Sequence, residues 1–246
     1  VDGTSVKGKS ATEVANMLKS DSVKTSTIVV KRNDKELTFK VTKENITLFS
    51  VSSEMLDNNG KNVGYLSVSI FGQKTYSQFK DALTKLEKQD MDSLIIDLRG
   101  NTGGYLSTVT NMLEEFIDKG NVIYQIQSSS GVKQYKTVKA SDKKYKIVVL
   151  IDGGSASASE IMSAAMKEVY GATLVGQTTY GKGTVQTTKD LSNGSMIKYT
   201  IEKWLTPSGK NIDKEGIKPD YEVDSYKNNP TKENDAQLQK ALDLLK

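Results

Sequence analysis

The sequence predicts an α/β protein, and two observations lead there. Residues 63–68, a helix-like stretch bearing Phe79, Ala82, Leu83 and Leu86, and residues 93–98 form a strand–helix–strand unit, the arrangement that joins parallel strands. Twice, an apolar run passes directly into a glycine-rich turn and then into a helix-like stretch. Residues 93–98 enter Arg99-Gly100-Asn101-Thr102-Gly103-Gly104, and residues 147–151 enter Asp152-Gly153-Gly154-Ser155-Ala156-Ser157-Ala158-Ser159-Glu160. Sheets of this class take ligands beyond the carboxyl ends of their strands, so function is expected at these two turns.

Composition narrows the chemistry. The chain has 246 residues, 36% of them hydrophobic, enough for a packed core. Thirty-four Lys and Arg against 30 Asp and Glu give a net charge of +4, with basic residues scattered among acids, so no nucleic-acid partner is expected. Cysteine is absent, which excludes disulfides and thiol catalysis. Histidine is absent too, removing the usual general base of serine hydrolases and the commonest transition-metal ligand. Neither a cofactor nor a metal is expected. No apolar run approaches the ~20 residues that cross a bilayer, and no targeting segment opens the chain.

Taken in order, Ser10-Ala11-Thr12-Glu13 is a capping box that opens a helix with Val14, Met17 and Leu18 on one face, running to Ser20. Residues 27–32 and 36–41 pair as a hairpin across Asn33-Asp34. Val1-Asp2-Gly3, the capped helix and this hairpin resemble the second half of a bacterial PDZ domain, a module too short to be complete. Residues 46–62 read as a connector, extended over 47–51 and ending in the turn Asp57-Asn58-Asn59-Gly60. After residues 63–68, Thr75 or Ser77 caps the helix that leads to 93–98. Leu106, Val109, Leu113, Phe116 and Ile117 then make the apolar face of a helix that Gly120 ends. Residues 122–127 and 133–138 form a hairpin, and 145–151 lead into the serine turn. A helix-like stretch, 162–170, follows that turn, and residues 172–176 make a short strand. Ser192-Asn193-Gly194-Ser195 turns a hairpin whose return strand is 196–205. The tail is polar from 228 until the amphipathic 236–245, a short helix of a kind that suits a homodimer contact. The expected organisation is a partial PDZ domain over 1–45, a connector over 46–62, a core over 63–225 and the tail over 226–246.

Two lines of chemistry meet in the core. A serine at a helix start has unpaired N–H groups and the positive end of the helix dipole beside it, suited to a developing oxyanion. Ser157 with Glu160 also reads as a capping box, and Ser155 as a cap, so this stretch alone leaves Ser155, Ser157 and Ser159 with comparable claims. The glycines at 100–104 serve either a tight turn or an oxyanion site. Downstream, Gly176-x-x-x-x-Gly181-Lys182 is a near miss to a phosphate-binding loop: Gly183 stands where a magnesium-binding Ser or Thr is needed, and the β-branched run Thr184-Val185-Gln186-Thr187-Thr188 replaces the required helix.

Without histidine, a serine can be activated by a neutral lysine. Such a lysine sheds a proton that an ordinary amine holds to about pH 10.4, at a cost of about 4 kcal/mol, and burial supplies the shift. The glycines flanking Lys182, the apolar Val185 and the lack of an adjacent acid suit a buried amine. If a strand starts at Lys182, its two-residue period sets Lys182, Thr184 and Gln186 on one face, where Gln186 orients the amine.

The runs 155–161 and 98–104, with Gly181-Lys182-Gly183-x-x-Gln186, Leu205-Thr206-Pro207-Ser208-Gly209-Lys210 and Gly216-Ile217-Lys218-Pro219-Asp220, resemble the carboxyl-terminal processing proteases, or tail-specific proteases. The resemblance covers nearly the whole chain. It implies a crotonase-like (ClpP/crotonase-type) β/α protease core preceded by a partial PDZ domain that engages protein or peptide substrates by exposed C-terminal tails. It also implies a serine endopeptidase cutting at or near C-termini, with Ser157 as nucleophile, Lys182 as base 25 residues on (182 − 157), and Gln186 orienting the lysine. The resemblance further implies an oxyanion hole formed by the backbone N–H of Ala158 and that of Gly103 or Gly104. An extracytoplasmic location, often with an N-terminal membrane tether, is implied as well. Asp152-Gly153-Gly154 departs from the asparagine-containing turn common in the family, and the alternative function is a quiescent peptide-binding scaffold of the same fold.

Overall fold

The computed structural model describes residues 1–19, 24–44, 47–192, 194–224 and 231–246. Ser20 and Asn193, expected to end a helix and to tip a turn, lie outside the described residues, as do 225–230 of the tail. The chain divides into two units, Val1–Thr47 and Leu48–Lys246.

In the first unit, α1 (Ala11–Lys19) starts as its sequence dictates: the Glu13 carboxylate accepts the Ser10 N–H at 2.7 Å, and the Ser10 hydroxyl accepts the Glu13 N–H at 3.3 Å. Strands β1 (Thr25–Arg32) and β2 (Lys35–Thr42) pair antiparallel across Asn33 and Asp34. Both turn residues take positive φ, 48° and 60°, which matches the twist of a two-residue hairpin. No residue of α1 is buried, and Val29, Phe39 and Val41 are each about half exposed.

The second unit is built on a six-stranded sheet of order β12-β9-β8-β5-β4-β3. It begins with β3 (Val51–Asn58) and β4 (Lys61–Val68), an antiparallel hairpin turned by Asn59-Gly60. The stretch read as a connector thus supplies the edge strand of the core sheet. Its polar residues hid this, because an edge strand with one solvated face lacks the apolar run that marks a buried one. Helix α2 (Thr75–Glu87) crosses to β5 (Ser93–Asp97), which lies parallel to β4. Helix α3 (Leu106–Leu113) is shorter than its apolar pattern suggested, although Phe116 and Ile117 remain buried.

Strands β6 (Val122–Ser128) and β7 (Gly131–Lys136) form a hairpin. Strand β8 (Lys146–Ile151) then returns to the main sheet parallel to β5, and α4 (Ala158–Ala165) leads through a π-helical turn, Met166–Tyr170, to β9 (Thr173–Gly176). Strands β10 (Thr184–Asp190) and β11 (Met196–Leu205) join β6 and β7 in a second, antiparallel sheet of order β10-β11-β6-β7. Strand β12 (Tyr221–Glu222) closes the main sheet beside β9, and α5 (Ala236–Leu244) is the last element.

Successive residues of the parallel strands enter two cores. Leu66, Leu94, Ile96, Val149 and Leu174 pack with α2, α3 and α4 residues such as Phe79, Met112 and Met162. Val63, Ile95, Val148, Leu150 and Val175 face the other way and meet Leu238, Ala241 and Leu245. The apolar side of α5, which suited a homodimer contact, is therefore spent on its own sheet.

Arg99 holds α5 in place. Its guanidinium bonds Asp97 through Nε and Nη2, Asp235 through Nη1 and Nη2, and Gln237 through Nη1, while the Tyr65 hydroxyl donates to Asp97 at 2.6 Å. Burial works against the Asp235 carboxylate, yet the Arg99 hydrogen bonds and the Leu238 N–H hold its pKa below the usual carboxylate value. A depressed folded value stabilises the fold above the unfolded pKa near 4, and that stability is lost as pH falls through the folded one. Arg99→Ala should destabilise the protein by about 3 kcal/mol, because two carboxylates lose their partner. Denaturant midpoints measured from pH 6 to pH 2 should fall in the wild type and fall less in the variant.

Candidate active site

Three loops leave the carboxyl ends of the adjacent strands β5, β8 and β9, and hydrogen bonds donated by backbone N–H groups knit them together. The Ala156 N–H donates to Asn101 O at 3.0 Å, the Tyr180 N–H to Ser155 O at 3.0 Å, and the Gly100 N–H to Asp152 Oδ1 at 2.9 Å. Asp152, noted as a departure from the family turn, thus ties the glycine loop to the serine loop.

The three serines differ in what their hydroxyls do. Ser155 and Ser159 are fully buried, and their Oγ atoms donate to Leu98 O at 2.9 Å and Asn101 O at 2.7 Å. They are structural stitches between loops. Ser157 is part-exposed and lines a cavity. Its backbone sits at φ 57°, ψ −114°, a region costing an ordinary residue of order 1–3 kcal/mol. The surroundings enforce it: the Glu160 carboxylate takes the Ser157 N–H at 2.8 Å, and Gly103 leaves so little room that a Cβ there would lie 2.9 Å from Ser157 Cβ.

The two candidate oxyanion glycines also differ. The Gly103 N–H is spent on Asn101 Oδ1 at 2.9 Å. Gly104 bridges Phe71 with φ 144° and lines the cavity. Among the described residues, neither the Gly104 N–H nor the Ala158 N–H has a hydrogen-bond partner.

Lys182 lies on the third loop, just before β10. Its glycine neighbours are explained by close approach: a Cβ on Gly183 would meet Asp213 N at 2.6 Å, and one on Gly181, at φ 85°, would meet Lys214 C at 2.9 Å. The Trp204 indole N–H donates to Lys182 O at 2.6 Å. The Lys182 side chain is exposed, contrary to the burial expected from its neighbours, and among the described residues no hydrogen bond joins its Nζ to Ser157 Oγ. Strand β10 starts at Thr184, not at Lys182, and a bulge falls between Val185 and Gln186. The extra residue at this bulge, Ile201, is on β11, so β10 keeps its own two-residue period, and Thr184 lines the cavity together with Lys182. Gln186 lines the same cavity as Lys182 and Ser157.

This cavity, about 310 Å³, has Leu106, Ile126, Ile161, Val185 and Trp204 as its apolar wall. A larger one, about 490 Å³, opens at the amino ends of β8 and β9 and contains none of the expected site residues. Among the described residues, no group of three or more carboxylates is placed to hold a metal ion.

Glu160 does more than cap a helix. It is fully buried, and its two oxygens accept four hydrogen bonds: from Ser157 N, Thr179 Oγ1 at 2.7 Å, Gly181 N at 2.7 Å and Lys182 N at 2.9 Å. One carboxylate thus sets the backbone of both Ser157 and Lys182. The capping-box spacing showed only the first of these bonds, because the others join residues 19 to 22 positions away.

Residues 62–223 match the family described as Peptidase family S41. The chain belongs to this family. Carboxy-terminal processing protease CtpB of Bacillus subtilis is 37% identical over 222 residues, 89% of this chain and 46% of that protein. CtpA of the same organism is 37% identical over 229 residues, 91% of this chain and 48% of that one. The chain spans about half the length of these curated relatives. In structure it resembles a photosystem II D1 C-terminal processing protease, at 31% identity and a TM-score of 0.67, over 91% of this chain and 61% of the other. The S41 segment contains the glycine turn, the serine turn, Lys182 and Gln186. On the peptidase reading proposed below, Gly183→Ala should lower peptide turnover at least about tenfold, because Asp213 has to shift and carry the Lys182 loop with it. Turnover compared with thermal midpoint checks this; the loss should exceed what unfolding explains.

Proposed function

We propose that the chain is the catalytic part of a serine endopeptidase that cuts proteins at or near their C-termini through a Ser157/Lys182 dyad. The observation that carries this reading is the cavity itself. It brings Ser157, the one serine of the three whose hydroxyl is not tied to the glycine loop, together with Lys182, Gln186 and the unpaired N–H groups of Gly104 and Ala158.

In this mechanism neutral Lys182 takes the Ser157 hydroxyl proton as Oγ attacks the scissile carbonyl. The Gly104 and Ala158 N–H groups receive the oxyanion, and Gly104 is preferred to Gly103 because the latter's N–H is occupied. The protonated amine then gives its proton to the leaving nitrogen, and water attacks the acyl-enzyme with Lys182 again as base. Gln186 holds the amine toward Ser157. Lys182 is exposed and not hydrogen-bonded to the Ser157 hydroxyl, and a bound peptide that covers the cavity would supply the desolvation the neutral amine needs.

The finer fold reading is a crotonase-type core preceded in the chain by a partial PDZ domain, whose groove engages substrate tails by strand addition. The capped helix and hairpin of the first unit, with their half-exposed apolar residues, support it. An extracytoplasmic location rests on family resemblance. The test is incubation with an unstructured protein ending in an apolar tail, with products mapped by mass spectrometry. Release of C-terminal fragments is expected; an intact substrate at every enzyme concentration would sink the proposal.

A further inference from the structure

The cavity at Ser157 carries two amines and no acid. Among the described residues, Lys182 and Lys198 both line it, and no Asp or Glu does. Of the carboxylates close behind, Glu160 is fully buried with four donors on its oxygens, and Asp213 accepts the Gly183 N–H at 3.3 Å and does not line the cavity. Glu202, on the same strand as Lys198, lines a separate cavity with Ser128 and Lys133. Lys182 has work in the reaction as proposed above. Lys198 has none there.

Its place on β11 defines its reach. Gln186 pairs with Thr200, and Lys198 lies two residues further along β11, opposite Thr188. Two strand residues span about 7 Å, the same distance an extended substrate covers in two residues. We propose that Lys198 is a specificity-determining residue: its ammonium binds a carboxylate of the substrate two or three residues from the cleaved bond. The inference rests on the peptidase reading and deepens it by naming a substrate class, chains with a negative charge at a set distance from an otherwise uncharged cleavage site. The carboxylate comes from an Asp or Glu side chain or from the free C-terminus, and both offer the same chemistry to the amine. An ammonium on a long stem reading a carboxylate acts as a point charge, so the preference is for charge and distance over shape.

The test uses the full chain and quenched peptides of one sequence carrying Asp, Asn or Lys at each of four positions on either side of the cleaved bond, each made as the free acid and as the C-terminal amide. At one position two or three residues away, Asp should lower KM about fivefold relative to Asn, the size of a solvent-screened ion pair, and the gap should close as salt is raised. If the terminal carboxylate is the ligand, the fivefold difference appears instead between acid and amide peptides whose C-terminus lies at that distance. Lys198→Gln should erase the difference, and Lys198→Glu should shift the preference to Lys. Equal KM for Asp, Asn and amide peptides at every position, or an acid preference retained in Lys198→Gln, would overturn the inference while leaving the peptidase intact. No turnover of any peptide would overturn the peptidase reading and this one with it.

Discussion

Ser157→Ala and Lys182→Ala are each expected to lower peptide cleavage by at least about 10⁴-fold, with little change in the thermal midpoint. The double variant should be no worse than either single one, because a nucleophile without its base and a base without its nucleophile are equally idle. Stability should hold because alanine keeps the Cβ and meets the same backbone strain at φ 57° as serine does, while the lost hydroxyl makes no bond to the glycine loop. Ser155→Ala and Ser159→Ala should behave in the opposite way. Each leaves a buried carbonyl, Leu98 O or Asn101 O, short of a donor, and costs about 1–3 kcal/mol. Chemical denaturation beside single-turnover kinetics distinguishes the two patterns. Full activity in Lys182→Ala would remove the dyad.

The second large effect is expected at Glu160. Glu160→Ala leaves three N–H groups and the Thr179 hydroxyl without their acceptor in a buried site, and should destabilise the protein by about 3–5 kcal/mol. Glu160→Gln keeps the shape and one acceptor oxygen but places an NH₂ against donors, so it should lose less stability while still lowering kcat. The reason is geometric: the carboxylate sets the Ser157 and Lys182 backbones relative to each other, and a displacement of about 1 Å between reacting groups costs on the order of a hundredfold in rate. Wild-type kcat in a folded Glu160→Gln would show that the carboxylate serves stability alone.

Local sequence determined the α/β class, the parallel strands, the hairpins at Asn33-Asp34 and at 128–131, and the three loops that carry the candidate site, because apolar periodicity and glycine placement act within a few residues of the chain. The zero count of histidine determined as much about chemistry, by leaving lysine as the base nearest to hand for a serine. Tertiary structure decided what joins residues far apart. It separated Ser157 from Ser155 and Ser159 by donating the latter two to carbonyls 57 and 58 residues away. Gly104 was distinguished from Gly103 by an Asn101 side chain turned back on its own loop. A polar stretch read as a connector became β3, since pairing with β4 supplies the backbone hydrogen bonds its side chains do not advertise. Glu160, a cap by its spacing, became the acceptor for four donors on two loops. The physical reason is common to all of these: hydrogen-bond partners across loops are chosen by where the sheet delivers the strand ends, and no spacing rule along the chain encodes that.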